Sequence, residues 1–288
     1  MPRKRKMTLA AINITTEPPH APERYLSIFR MLQESDKPLV GRLGGPQNIT
    51  LGYCSIKASY VEGVFVSFTQ IDPNSPWWDT EARKALVDEQ GQPIPQVRKG
   101  IGPNTKHISF FFFAKHHRLV IDLRNVSAKG FAKGLESLFS NEQLSNEFGK
   151  INVTVEPKRN IIDEIVKLQH KSQINISISL PNSDAPSQME KKIVQRLKTL
   201  GVARTEQTFR SSRGGEMTQD EELLATMKIG QSNGYVEAVG YGEDGKSITL
   251  STKDYPLLYS ESYEADAYWK SLPKFAKKLL NLIRGNSG

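Results

Sequence analysis

The sequence predicts an α+β fold, with mixed or antiparallel sheets and packed amphipathic helices. Three observations carry that reading. Short runs with strict two-residue alternation recur, as in QINISISLP, where Ile174, Ile176 and Ile178 share one side of an extended chain. Runs with helical spacing fall between them, as in PSQMEKKIVQRLKTLGV, which ends at Gly201. The segment HISFFFFAKHHRLVIDL has two dense apolar runs around a polar tip, so it reads as a hairpin buried on both faces. Interleaved strands and helices without a strict βαβα rhythm belong to the α+β class.

The elements follow in order. TLAAINIT is an alternating strand, and the prolines of EPPHAPERYLSIFRML end it. Tyr25, Ile28, Phe29 and Leu32 then recur at helical spacing. After the turn-rich GRLGGPQN come two strands, ITLGYCSIKASY and VEGVFVSFTQI. DPNSPWWD is a loop whose Trp77–Trp78 pair reads either as a hydrophobic plug or as a stacking platform for bases. Beyond the phenylalanine hairpin a helix fits residues 127–140, with Phe131, Leu135, Leu138 and Phe139 on its apolar side. KINVTVEP is a strand stopped by Pro157, IIDEIVKLQ a short helix, and ARTEQTF a strand before the exposed SSRGGEMT loop. A helix from about Gln219 to Ile229 leads into NGYVEAVGYGEDGKSITLST. At the end, Trp269, Leu272, Phe275, Ala276, Leu279 and Ile283 oppose Lys270, Lys274, Lys277 and Arg284 on an amphipathic helix, with Pro273 at its first turn or a kink. The expected division is an N-terminal α+β module with a basic arm (residues 1–105), a second α+β module (106–260) and the basic helix (261–288).

Of the 288 residues, 38% are hydrophobic, enough for a sizeable core. No apolar run approaches the roughly 20 residues of a membrane-spanning helix, and the start does not read as a secretory signal. The lone cysteine, Cys54, excludes an internal disulfide and fits a reducing, cytoplasmic setting; its apolar surroundings favour a buried residue over a nucleophile. The net charge of +8 is unevenly placed. Arg3, Lys4, Arg5 and Lys6 supply +4, residues 265–288 supply another +4, and the body between them is neutral. Basic ends suggest an acidic partner.

GYGEDGKS (residues 240–247) matches the phosphate-binding loop G-x-x-x-x-G-K-[ST], which needs a strand before it and a helix after it. Here ITLSTKDYP follows, a β-branched strand running into proline, so the stretch reads as a hairpin turn with Asp244-Gly245 supplying positive φ. Asp122, the apparent magnesium aspartate, lies upstream of the loop instead of downstream. Glu237, Asp244 and Lys246 loosely resemble the acid-x-lysine set of metal-dependent nucleases, but that lysine belongs on a rigid strand. His116 and His117 are neighbours with no close third ligand, so no metal site is expected, and no cofactor either.

AAINITTEPPHAPERYL, FTQIDPNSPWWD, AKHHRLVIDL, FGKINVTVEP and GYVEAVGYGEDGKSITLSTKDYP, in that order, resemble a bacterial family known as domain of unknown function 4747, over roughly residues 8–260. INVTVEPKRNIIDEIVKLQHKSQINISISLPN is similar to a segment of the phage lambda Rex exclusion DNA-binding protein. That second resemblance implies an immunity role, duplex DNA as ligand and a homodimer with ferredoxin-like βαβ elements. The expected function is therefore antiphage defence by nucleic-acid binding without marked sequence preference, as a sensor or regulator with no catalytic residues of its own. The residues expected to meet phosphates are Arg3, Lys4, Arg5, Lys6, the tip Lys115, His116, His117 and Arg118, the pair Lys158 and Arg159, the loop arginines Arg210 and Arg213, and Lys270, Lys274, Lys277 and Lys278. Two other readings stay open: a nuclease or nucleotide hydrolase using Glu237, Asp244 and Lys246, and an interaction subunit docking an effector of a defence system through the C-terminal helix and the tryptophan loop.

Overall fold

The fold was read from a computed structural model, which describes residues 4–158, 160–179, 188–202, 204–212, 217–241 and 245–285. The described elements, in chain order, are β1 (Lys4–Thr15), α1 (Pro22–Glu34), β2 (Gly41–Gly44), β3 (Gln47–Ile56), β4 (Tyr60–Thr69), β5 (Trp77–Asp79), β6 (Lys84–Leu86), β7 (Lys106–Phe113), a 3₁₀ turn at Ala114–His116, β8 (Arg118–Asp122), α2 (Ala128–Phe139), α3 (Glu142–Phe148), β9 (Asn152–Val155), α4 (Ile161–Lys167), β10 (Gln169–Ser179), α5 (Gln188–Thr199), β11 (Arg204–Arg210), α6 (Glu221–Asn233), β12 (Gly234–Tyr241), β13 (Ser247–Ser251), β14 (Leu258–Glu264) and α7 (Tyr268–Arg284). The class is α+β, and every pairing between the described strands is antiparallel.

The large sheet has the order β14-β1-β8-β7-β4-β3-β2, with β9 sharing one rim of β1 with β14. Alternation sorts its two faces. Ile12, Ile14, Phe110, Phe112, Leu119 and Ile121 meet Tyr25 and Phe29 of α1 and Phe131, Leu135 and Leu138 of α2. The intervening residues Met7, Leu9, Ala11, Phe111 and Val120 meet Leu272, Phe275, Ala276, Leu279 and Ile283 of α7. Both faces are thus covered, which is why Phe110 to Phe113 include no polar residue. Gly41 of β2 crosses α2 so closely that a Cβ there would lie 2.4 Å from the Gly134 carbonyl oxygen.

The small sheet has the order β11-β10-β12-β13. One face, with Ile174, Ile176, Ile178, Val236 and Ala238, packs on α4, α5 and α6 through Ile161, Ile165, Val194, Leu197, Leu223 and Met227. The other face carries Gln173, Asn175, Ser177 and Ser179 beside their β11 partners Arg210, Thr208, Glu206 and Arg204. Asp220 caps α6 by accepting the Leu223 N–H at 2.7 Å, and Ser127 caps α2 by accepting the Gly130 N–H at 3.1 Å.

Two expectations need correction. Residue 105 is no boundary of packing, because β7, just after it, pairs with β4, just before it, in one sheet. Lys4, Arg5 and Lys6 are not an arm but the first residues of β1, hydrogen-bonded against β14, a strand whose polar alternation LYSESYE gave no apolar signal.

Candidate nucleic-acid interface

The strongest cation array lies on α7. This helix buries Leu272, Phe275, Ala276, Leu279 and Ile283 against the large sheet, each large side chain contributing roughly 1.5–3 kcal/mol. Its N-terminal end is pinned by Asp122. That buried carboxylate accepts from the Tyr268 hydroxyl at 2.8 Å and from Arg124 at 3.1 Å, while Arg124 also donates to the Tyr263 hydroxyl at 3.0 Å. Burial, reinforced by the Asp122 charge, raises the Tyr268 pKa and keeps this donor protonated. Asp122 is therefore an anchor for α7 and is engaged on the protein's own side chains.

With the apolar side fixed, Lys270, Lys274, Lys277 and Arg284 are turned outward and exposed. Their spacing places them within an arc of about 80° on one helical face, in a stripe about 21 Å long. None of the four has an ion-pair partner among the described residues. Lys278 lies at the edge of the stripe and is neutralised: it donates to Glu261 of β14 at 2.6 Å, and this hydrogen bond raises the lysine pKa and lowers that of the carboxyl. Tyr259 donates to the same carboxylate.

The ends of the chain do meet, since α7 packs on β1 and β14, but strand alternation divides the basic residues of β1. Arg5, paired with Tyr263, faces the α7 side, whereas Lys4 and Lys6 face the opposite side, Lys4 across from Glu264. Arg3, Arg159 and Arg213 lie outside the described residues. Lys158 pairs with Glu164 at 3.7 Å, and Arg210 stands on the open face of the small sheet, donating to Gln173 at 3.3 Å.

The KHHR tip is corrected. Lys115 is exposed and His116 half-buried, but His117, only 6% exposed, adopts φ of 53° and stacks on Tyr25 at 3.9 Å. Burial, helped by neighbouring His20, Arg118 and His116, pushes the His117 pKa down to about 3. Arg118 turns inward as well, to Glu156 at 2.9 Å and Asn13 at 2.5 Å. These two side chains are out of a phosphate's reach. Lys115 itself lies at the Asn13 end of β1, about 30 Å along the strand from Lys4.

The remaining candidates sort cleanly. The strands on either side of GYGEDGKS form an antiparallel pair, β12 with β13 up to Tyr241 and Ser247, and Gly245 has φ of +74°. Asp244 lies outside the described residues, and Glu237 accepts from Asn175 at 3.4 Å. Among the described residues no group of three or more His, Cys, Asp or Glu side chains could hold a metal. Cys54 is buried, donates to Gln33 at 3.4 Å, and has its thiol pKa raised to about 11 by burial. Trp77 is half-buried and Trp78 is 64% exposed. The apolar face of α7 is already covered by the sheet, which removes it as a docking surface for an effector. No described helix is long and apolar enough to cross a membrane.

Four cations that the sequence did not single out gather elsewhere. Lys129, Lys133, Arg204 and Lys253 line a cleft between α2 and the small sheet. The lysines of α2 were legible as an i, i+4 pair on a predicted helix; Arg204 and Lys253 are brought to them by tertiary structure alone.

Comparison with protein families gives a match over most of the chain. The model described as "Domain of unknown function (DUF4747)" covers residues 5–275, nearly the whole chain. No curated protein matches the sequence.

Proposed function

The chain belongs to the DUF4747 family, and we propose that it binds the phosphate backbone of nucleic acid, duplex DNA foremost, without marked sequence preference. In this reading it acts as a non-catalytic sensor or regulator in antiphage defence, with α7 as its contact surface. The observation that carries the reading is the stripe of Lys270, Lys274, Lys277 and Arg284, held rigid by the buried side of the same helix. Backbone recognition needs cations in register with a line of phosphates and no shaped pocket. A helix is the right mount, because side chains fixed on a packed element lose less freedom on binding than those on a floppy tail. The defence role rests on the resemblance of residues 151–182 to the Rex exclusion protein. Within the described residues, that segment folds as β9, α4 and β10.

The test is a salt series. Affinity of the full chain for a labelled duplex, followed by anisotropy, falls as salt rises. Removing three phosphate contacts with Lys270→Ala, Lys274→Ala and Lys277→Ala lowers the slope of log K against log salt by about 2.7. The substitutions lie on the exposed face and leave the circular-dichroism spectrum unchanged. An unaltered slope and affinity in the folded triple variant would end the proposal.

A further inference from the structure

A second positive surface lies across the large sheet from α7. The polar side of the small sheet, opposite α4, α5 and α6, abuts α2 and β9, and between them is a cleft of about 210 Å³. Its cations come from three distant segments: Lys129 and Lys133 from α2, Arg204 from the start of β11, and Lys253 from just after β13. Glu136 is the one carboxylate among its lining residues. Ser177, Ser179 and Thr154 add hydroxyl groups to the wall.

Two features indicate that these cations are held for a ligand. Lys129 stands in the first turn of α2, which has no acidic residue there, although the helix dipole disfavours a cation at that end. The Lys253 ammonium, on an exposed residue, lies 3.6 Å from the centre of the Tyr235 ring at the cleft wall. Desolvation lowers its pKa; Glu136 and Glu237 oppose that shift, and Arg204 and Lys129 add to it. Arg204 donates its Nε–H to Ser177 at 3.1 Å, which aims the guanidinium along the wall. Two of the cations have counter-ions: Lys129 meets Asp254 at 2.5 Å and Arg204 meets Glu206 at 2.7 Å. Both pairs are solvent-exposed, and exposed pairs contribute only about 0–1 kcal/mol, so a more highly charged anion can displace them.

The shape and chemistry define the ligand class. The volume is below the roughly 300–1,000 Å³ of sites for drug-sized molecules, so the cleft holds one compact anion and leaves a larger attached group outside its mouth. Ammonium, guanidinium and hydroxyl donors line the cleft from different walls, chemistry that suits the several terminal oxygens of a phosphate more than a flat carboxylate. We propose that this cleft binds a phosphate monoester, presented either by a free mononucleotide-sized metabolite or by the 5′-phosphorylated end of a nucleic-acid strand.

The experiment is calorimetric titration of the full chain with inorganic phosphate, adenosine 5′-monophosphate, and a short single-stranded oligonucleotide with and without its 5′-phosphate. The mononucleotide binds, and Lys253→Gln, Arg204→Gln and the exposed Lys133→Glu each weaken it about ten-fold or more, as expected for loss of a charged hydrogen-bonding partner. The triple alanine variant of α7 binds it unchanged, which keeps this site separable from the proposed duplex surface. If the mononucleotide binds more tightly than either oligonucleotide, a free metabolite is the source. If oligonucleotide affinity depends on the 5′-phosphate and is lost in Lys253→Gln, the source is a strand end. The proposal is overturned if none of the phosphate-bearing probes binds at millimolar concentration, or if binding survives all three cleft substitutions in folded protein.

Discussion

The large sheet is sandwiched between helices on both faces, whereas the small sheet is covered on one. The consequences run through the sequence and the surface alike. In the large sheet, β7 and β8 are buried along most of their length, and the exposed cations of α7 are carried on a helix packed over the strands. In the small sheet, β10 alternates isoleucine with serine and asparagine, so its polar residues remain available to line a cleft. A doubly covered sheet can offer only its covering helix to a ligand. A singly covered one can offer its own strands.

The comparison is broken most severely by removing a phenylalanine that only a doubly covered strand can hold. Phe110→Ala empties a fully buried site between β7 and the helices and is expected to cost about 3–5 kcal/mol, read as a lower urea midpoint. Ser177→Ala, on the polar face of β10, is expected to cost far less, about 1 kcal/mol, because it removes one hydrogen bond from Arg204.

Next in size is an effect of pH. His117 has its pKa lowered from 6.5 to about 3 in the folded chain, so the unfolded chain binds the extra proton in that interval. Its contribution is complete above pH 6.5 and is lost as pH falls towards 3, by up to about 1.4 kcal/mol per pH unit. Denaturant titrations at several pH values check this, and His117→Phe, which keeps a ring against Tyr25, flattens the dependence over that interval.

Smaller still is the anchor of α7. Tyr268→Phe deletes one hydrogen bond to buried Asp122 and is expected to cost about 1.5–3 kcal/mol at most, with amide exchange quickening in α7 before the rest of the large sheet. Smallest is the hairpin: Gly245→Ala imposes a side chain on a φ of +74° and costs about 1 kcal/mol, measured as a small fall in melting temperature.

What could be read in advance follows the same division. Phe110 to Phe113 announced a strand buried on both sides, and Ile174, Ile176 and Ile178 announced one buried on a single side, because burial writes its period directly into the residues. The strand after Gly245 was legible from its β-branched residues. β14 was not, since an edge strand of LYSESYE takes its apolar partners from α7 and its pairing from β1, both remote in sequence. The KHHR tip misled for a related reason: charge and polarity in a turn resemble solvent exposure, yet Glu156, Asn13 and Tyr25 satisfy Arg118 and His117 inside the protein. The α7 stripe was visible as amphipathic spacing, whereas the cleft depends on Arg204 and Lys253 arriving at one place from separate turns.

The seam between β1 and β14 also sets how the chain must assemble. The Thr8 and Ser260 hydroxyls meet at 2.9 Å across a separation of 252 residues, so one flank of the first described strand waits for the last. Such long-range closure slows folding. Until residues 258–284 dock, the rim of β1 at residues 4–10 and the oily row of Met7, Leu9 and Ala11 stay bare, making incomplete chains of this protein sticky partners for one another.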